Sequence, residues 1–290
     1  MTHVTDRYGA GGPGGPLVMC DFTPPRSGDP TVLDRLKGVS ADFFCAAYNP
    51  GKLVRADSVA AAHAVRERTG VETVFNLATR DMNKIALQSR LLGAQMLGLE
   101  NVIVMHGDDL TERELGLGVT SVRDYSSTSL IAALRAMNDG QDYRGAALTA
   151  PTDFCIGATL DLARDLAAEA ALTKRKAEAG AHYFITQPIY APEERERFLA
   201  LYEEAAGGPL AVPVLWGVQV LDKDGVIFGN VPAGLRAQLD AGRDGAEAAG
   251  ELLAALVEAG VRGFYLIPPI LKGGRRDYEA AQRVLGAIGR

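Results

Sequence analysis

Short apolar or β-branched runs alternate along the chain with longer segments of helical period, and the alternation repeats eight times. Each pair marks a strand followed by a helix, and a succession of such pairs commits a chain to a parallel sheet. The expected strands are Leu17–Phe22, Asp42–Ala47, Glu72–Ala78, Asn101–Met105, Asp153–Ala158, His182–Thr186, Pro213–Val218 and Arg262–Ile267. The expected helices are Pro30–Lys37, Arg55–Arg68, Asp81–Leu97, Tyr125–Asp139, Asp161–Glu178, Pro192–Ala205, Asp244–Ala259 and Asp277–Ile288. The phrases RTGVET, LGLENV, EAGAHYF and EAGVRGF resemble one another because each turns a helix into a strand, with Gly70, Gly98, Gly180 and Gly260 placed as left-handed helix stops. Eight such units in 290 residues predict a closed (β/α)8 TIM barrel, a fold that typically takes about 250 residues. An open doubly wound sheet has less support, since no GxGxxG follows the first strand. The barrel is expected as a single domain over residues 17–290, after a Gly- and Pro-rich flexible tail over residues 1–16.

Charge and cysteine content narrow the function classes. Thirty basic against 36 acidic residues leave a formal charge of −6, which is no footprint for nucleic acid. Cys20, Cys45 and Cys155 are odd in number and form no CxxC, so neither a disulfide framework nor a zinc site is expected, and a reducing cytoplasm fits. The start of the chain lacks the apolar stretch of a secretory signal, and no later run reaches membrane-spanning length. GxSxG, HExxH, a Walker loop and an EF-hand loop are all absent, which removes motif support for the corresponding hydrolases, zincins, P-loop enzymes and calcium sensors.

In a TIM barrel, chemistry gathers at the C-terminal ends of the strands and in the loops that follow them. That filter selects Asp21, Phe22 and Thr23; Tyr48 and Asn49; Asn76, Thr79 and Arg80; His106, Gly107 and Asp108; Gln187; Trp216 and Gln219; and the segment from Pro268 to Lys272. Asp21, at a strand end stiffened by two prolines, suits either a general acid partly buried beside Phe22 or a carboxylate that accepts backbone hydrogen bonds. MHGDD, Met105–Asp109, reads equally as a ligand approach or as a Gly-Asp turn. Lys174, Arg175 and Lys176 are either a pyrophosphate site or a solvated helix face paired with Glu169 or Glu178. Gln187 in ITQPIY offers an amide that both donates to and accepts from a heteroaromatic ring.

Four collinear segments, DFTPPRSGDP, LATRDMNKIALQSRLLGAQMLGLENVIVMHGD, TSVRDYSSTSLI and KRKAEAGAHYFITQPIYAPE, resemble the methylenetetrahydrofolate reductase family, a flavin-dependent barrel of one-carbon metabolism. The resemblance implies reduction of 5,10-methylenetetrahydrofolate to 5-methyltetrahydrofolate by hydride from NADH or NADPH through FAD. It makes Asp21 the counterpart of the catalytic acid, and it places Asp108 and Gln187 on the folate. Asn76, Thr79, His106, Gly107 and Asp108 fall at the flavin, with Arg175 and Lys176 on its phosphates. No metal is implied, and a homo-oligomer is. The sequence departs from the family where Asp21 stands for a longer Glu, where Asn76 stands for a histidine, and where Gly157–Asp165 is short and unlike the family's FAD-clamping loop. Those departures keep two alternatives open: direct hydride transfer from NADH to the folate without flavin, and a folate-binding relative without catalysis.

Overall fold

The structure, a computed structural model, describes residues 2–9 and 15–290. The elements run in the order α1 (Val4–Gly9), β1 (Leu17–Phe22), a 3₁₀ helix over Pro30–Gly38, β2 (Phe43–Ala46), a 3₁₀ turn over Pro50–Lys52, α2 (Ser58–Thr69), β3 (Glu72–Ala78), α3 (Lys84–Met96), β4 (Asn101–Met105), α4 (Glu112–Gly116) and α5 (Ser127–Asn138). They continue with β5 (Cys155–Leu160), α6 (Leu166–Ala179), β6 (Tyr183–Pro188), α7 (Pro192–Ala206), β7 (Val214–Gln219), α8 (Ala233–Asp240), α9 (Gly245–Glu258), β8 (Gly263–Ile267), a 3₁₀ turn over Lys272–Gly274 and α10 (Tyr278–Gly286). Every strand is parallel to its sequence neighbours, and β8 closes on β1 with Leu17 opposite Gly263 and Cys20 opposite Leu266. The expected (β/α)8 barrel is the fold.

Several helices start a few residues later than their apolar period suggests, because the residue before each is a cap. Asp57, Asn83, Ser126, Asp165, Asp244 and Asp277 accept from backbone N–H groups in the first turn, satisfying donors that the helix itself cannot. At the other end, Gly70, Gly98, Gly180 and Gly260 all take positive φ, between 69° and 115°. β5 begins two residues past its expected start. Asp153 lies in the turn before it, while Thr159 and Leu160 extend the ladder opposite Ile185 and Thr186.

Strand parity divides the apolar residues into two cores. Val18, Cys20 and Phe22 of β1 face the helices in the larger cluster, and Leu17 and Met19 point into the barrel with Phe43, Cys45, Val74, Ile103, Cys155, Tyr183 and Leu215. The Tyr183 ring fills the barrel against Gly157, where an added Cβ would lie 2.4 Å from the ring carbon Cζ, so a side chain at that position cannot be accommodated.

The N-terminal segment corrects one expectation. Residues 4–9 are not a flexible tail but α1, which sits across the bottom of the barrel; residues 10–14 lie outside those described. Val4 is fully buried in the inner core, its N–H donates to Asn101 Oδ1 at 3.0 Å, and Asn101 Nδ2 donates back to the Thr2 carbonyl at 3.0 Å. These contacts, with Tyr8 packed against the inner core and Arg7 Nε donating to Asp42 Oδ1 at 3.0 Å, hold a helix too short to be stable alone. No helix among the described residues is long and apolar enough to cross a membrane.

Candidate active site at the barrel mouth

Asp21 is the last inward-facing residue of β1, and it is 3% exposed. Its environment differs from the one expected. Phe22, the next residue, turns to the opposite face of the sheet and packs among the helices, so it contributes nothing to the carboxylate's surroundings. Asp21 instead accepts from Tyr265 Oη at 2.8 Å through Oδ1 and forms an ion pair with Arg276 Nη2 through Oδ2. Arg276 is itself fixed, with Nε donating to Thr23 Oγ1 at 2.9 Å and Nη1 to the Pro268 carbonyl at 3.0 Å. Burial and then the Asp21 charge push the Tyr265 phenol well above its ordinary pKa, so it remains a donor. The unit is a carboxylate with both oxygens engaged, held at the floor of the mouth.

Neither Tyr265 nor Arg276 was singled out from sequence. Tyr265 was findable by parity, since it alternates inward with Gly263 and Ile267 in GFYLI. Arg276 lies just past the Pro268–Lys272 segment taken as the end of the eighth loop, and it reaches back across 255 positions.

The β3 and β4 ends form one side of the rim. Asn76 faces the barrel interior and accepts from Cys45 Sγ at 3.6 Å. Thr79 is fully buried and donates to the His106 carbonyl at 3.3 Å. Arg80 grips Asp81 with Nε and Nη2 at 2.5 and 2.8 Å, and its Nη1 reaches the Asp108 carbonyl at 2.7 Å, tying the two loops together. Burial and the neighbouring Asp81 charge push the Tyr48 phenol up to about 12. Gly107 has a φ of 84°, a left-handed conformation that favours glycine, and a Cβ there would come within 3.1 Å of Ala78 Cβ at the end of β3. The His106 and Asp108 side chains are exposed above it, and Gln187 is exposed at the end of β6. These three side chains are available to a planar ligand resting on the mouth. Trp216 is not: it packs outward against Phe198 and is core.

The segment after β7 covers part of the opening. Gln219 is buried, accepts from Phe228 N at 2.9 Å and donates to the Val226 carbonyl at 2.8 Å, while Tyr190 Oη donates to the Phe228 carbonyl at 2.5 Å. These bonds set the Phe228 ring on top of the inner core.

The pair expected on the FAD phosphates is not assembled as one site. Lys176 is 4% exposed; its Nζ donates to the Thr159 carbonyl at 2.6 Å and lies 3.6 Å from Glu169, itself buried. Burial lowers the Lys176 pKa and the Glu169 charge works against that drop. Arg175 is exposed on another face of α6. The α6 start offers no compensation, because Asp165 occupies the Ala168 N–H and Arg164 is already paired with Asp161 at 3.0 Å. A diphosphate at this end of the helix would meet carboxylates and a spent lysine, so the residues present do not fit the phosphates of FAD.

Comparison with known proteins adds three findings. The family model described as methylenetetrahydrofolate reductase matches residues 13–224. Among solved structures, an uncharacterized protein from Clostridium thermocellum that binds two copies of 5-methyl-5,6,7,8-tetrahydrofolic acid superposes with a TM-score of 0.65 at 14% identity, over 94% of each chain. DmoA from Hyphomicrobium sulfonivorans superposes with a TM-score of 0.54 at 11% identity, over 94% of this chain and 86% of its own. At these identities the two structures share the fold. No match was found among curated proteins.

Proposed function

The chain belongs to the methylenetetrahydrofolate reductase family, and from that premise we propose that its barrel mouth binds a reduced folate and reduces the methylene group to methyl with hydride taken directly from a nicotinamide dinucleotide. The observation that carries this reading is the buried Asp21–Tyr265–Arg276 unit, which stands where the resemblance puts the family's acid. Support for the ligand class comes from the Clostridium thermocellum neighbour, whose bound 5-methyltetrahydrofolate is the product of this reaction.

The chemistry asks for two things. Protonation of the folate's five-membered ring, by a proton delivered from solvent at the open rim before the ligand is covered, breaks one carbon–nitrogen bond and leaves a cationic iminium; hydride then adds to the methylene carbon, and the nicotinamide leaves oxidised. Asp21 is suited to the cation. Its carboxylate is prevented from turning by two donors, so its charge is already oriented when the iminium forms and costs no reorganisation at that moment. Asp108 and Gln187, open on the rim, are the proposed folate contacts, an acceptor and an amide matched to the amino and lactam edge of the pterin. Phe228, held by Gln219 and Tyr190, would keep water from the reacting carbon.

The choice of direct transfer follows from Lys176, Arg175 and the capped α6 start, which do not provide the diphosphate contacts that FAD requires. The test is oxidation of NADH and of NADPH by flavin-stripped protein in the presence of methylenetetrahydrofolate. Turnover without FAD, giving intersecting double-reciprocal lines, is expected. Turnover that appears only on adding FAD, with the parallel lines of a ping-pong cycle, overturns it.

A further inference from the structure

Beside the mouth lies a cavity of about 380 Å³, bounded by the loop after β1, the 3₁₀ helix over Pro30–Gly38, the loop before α2 and the turn before α10. Arg26, Arg35, Arg55, Arg275 and Arg276 all line it, with Thr23, and no Asp or Glu does. In a chain carrying a formal charge of −6, five guanidinium groups around one cavity with no acidic lining are an arrangement that needs a reason. Arg276 is neutralised by Asp21, from the barrel side. The other four make no ion pair among the described residues, and each of the two with a hydrogen bond spends it on a carbonyl: Arg35 Nε on Val32 at 2.8 Å, Arg55 Nη1 on Pro24 at 3.1 Å.

Arg55 shows the frustration most directly. Its Nε is buried without a hydrogen-bond partner. Burial lowers its pKa, and the charges of Arg26 and Arg276 lower it further, so the group sits among like charges with no local anion. Its Nη2 also packs on the backbone at Gly274, where an added Cβ would stand 3.2 Å away; a larger residue there would displace the guanidinium. Several like-charged groups held together at a concave surface are a cost to the folded protein unless an anion binds among them.

We propose that this cavity is an anion site for the diphosphate of the nicotinamide dinucleotide. The fork of a guanidinium meets two phosphate oxygens at once, and several such forks around one hollow match a diphosphate's several oxygens better than a single carboxylate. Arg276 and Thr23 are the shared wall between the cavity and Asp21, so a dinucleotide anchored by its phosphates here has its nicotinamide end within reach of the mouth. The assignment rests on the proposed reductase reading.

The experiment is calorimetric binding of inorganic pyrophosphate, NADH and 5-methyltetrahydrofolate carrying one or several γ-linked glutamates, to the full chain and to two variants. Arg55→Ala removes the unpaired buried group; the double variant R26A/R35A removes two exposed ones and leaves the core untouched. Expected are competition between pyrophosphate and NADH, a Kd for both raised about 10- to 100-fold in each variant, and weakening with salt, while the monoglutamyl folate binds as before. Unchanged NADH affinity in the two variants overturns the proposal. So does displacement of pyrophosphate by the polyglutamyl but not the monoglutamyl folate without any effect of NADH, which would give the cavity to a polycarboxylate tail. Because binding is read without turnover, a protein that binds NADH here yet reduces no folate would refute the proposed reaction and leave this site standing.

Discussion

At the residue scale, Asp21 shows what a strand end can and cannot disclose. Its place at the mouth follows from the barrel rule and from parity, both readable in MCDFTPP. Its chemical state does not, because the two groups that determine it lie 244 and 255 positions away. The adjacent Phe22 offered a local environment that parity removes, since neighbours on a strand face opposite sides. Asp21→Asn keeps the shape but leaves Arg276 as a buried charge without its partner, the condition in which a broken pair costs about 3 kcal/mol or more. Urea denaturation should register that loss. In the fraction that remains folded, counted by folate binding, kcat should drop about 10²- to 10³-fold with KM for folate nearly unchanged, as expected when a fixed charge acts on the transition state. An Asn variant with wild-type kcat would remove Asp21 from the reaction.

At the scale of elements, α6 shows how a charge run misleads when it is read without its period. Glu169, Thr173 and Lys176 are spaced four and three apart, and all three are buried on one face, whereas Arg175 is on another. The run KRK therefore splits between core and solvent, a division that a helical wheel predicts and a count of basic residues hides. The helix starts were legible to within their caps, while α4 and α8, of five and eight residues, left too short a period to find. Glu169→Gln should cost about 3–5 kcal/mol, because it strands the Lys176 ammonium in a buried site. The pH dependence has a definite sign. The Lys176 pKa is already lowered in the folded state and loses the opposing Glu169 charge in the variant, so the unfolded chain binds more protons at alkaline pH. The stability of Glu169→Gln should thus rise with pH from the folded-state value toward the unfolded lysine range near about 10.4, and chemical denaturation across that window measures it. A variant as stable as the parent, with no such slope, would mean that Lys176 is free to meet phosphate after all.

For the whole molecule, the alternation of strands and helices was sufficient to specify closure, because each unit repeats the same turn and the eighth strand returns to the first. What alternation does not carry is how the ends are fastened. α1 has a single buried apolar residue, Val4, and sits before a Gly- and Pro-rich stretch, so no periodic signal announces it. The fastening converges on Asp42, at the start of β2. Its carboxylate accepts from Val18 N at 2.8 Å, from Arg7 Nε of α1 at 3.0 Å, and from Arg290 Nη1 and Nη2 at 2.7 and 2.9 Å. One side chain thereby joins β1, the N-terminal helix and the last residue of the chain. Burial alone would raise its pKa, but the Arg290 and Val18 hydrogen bonds and the charges of Arg290 and Arg7 outweigh it and hold the carboxyl below its ordinary value. A carboxyl lowered in the folded state stabilises it above the unfolded value of about 3.9 and loses that contribution as pH falls through the folded one. Asp42→Asn should therefore lower stability by about 3 kcal/mol at neutral pH, where Arg7 and Arg290 lose their shared acceptor, and the gap between variant and parent should close below about pH 4. Denaturant titrations at neutral and at acid pH give both numbers. A gap that persists undiminished into acid would show that the carboxylate's charge is not what fastens the barrel's floor.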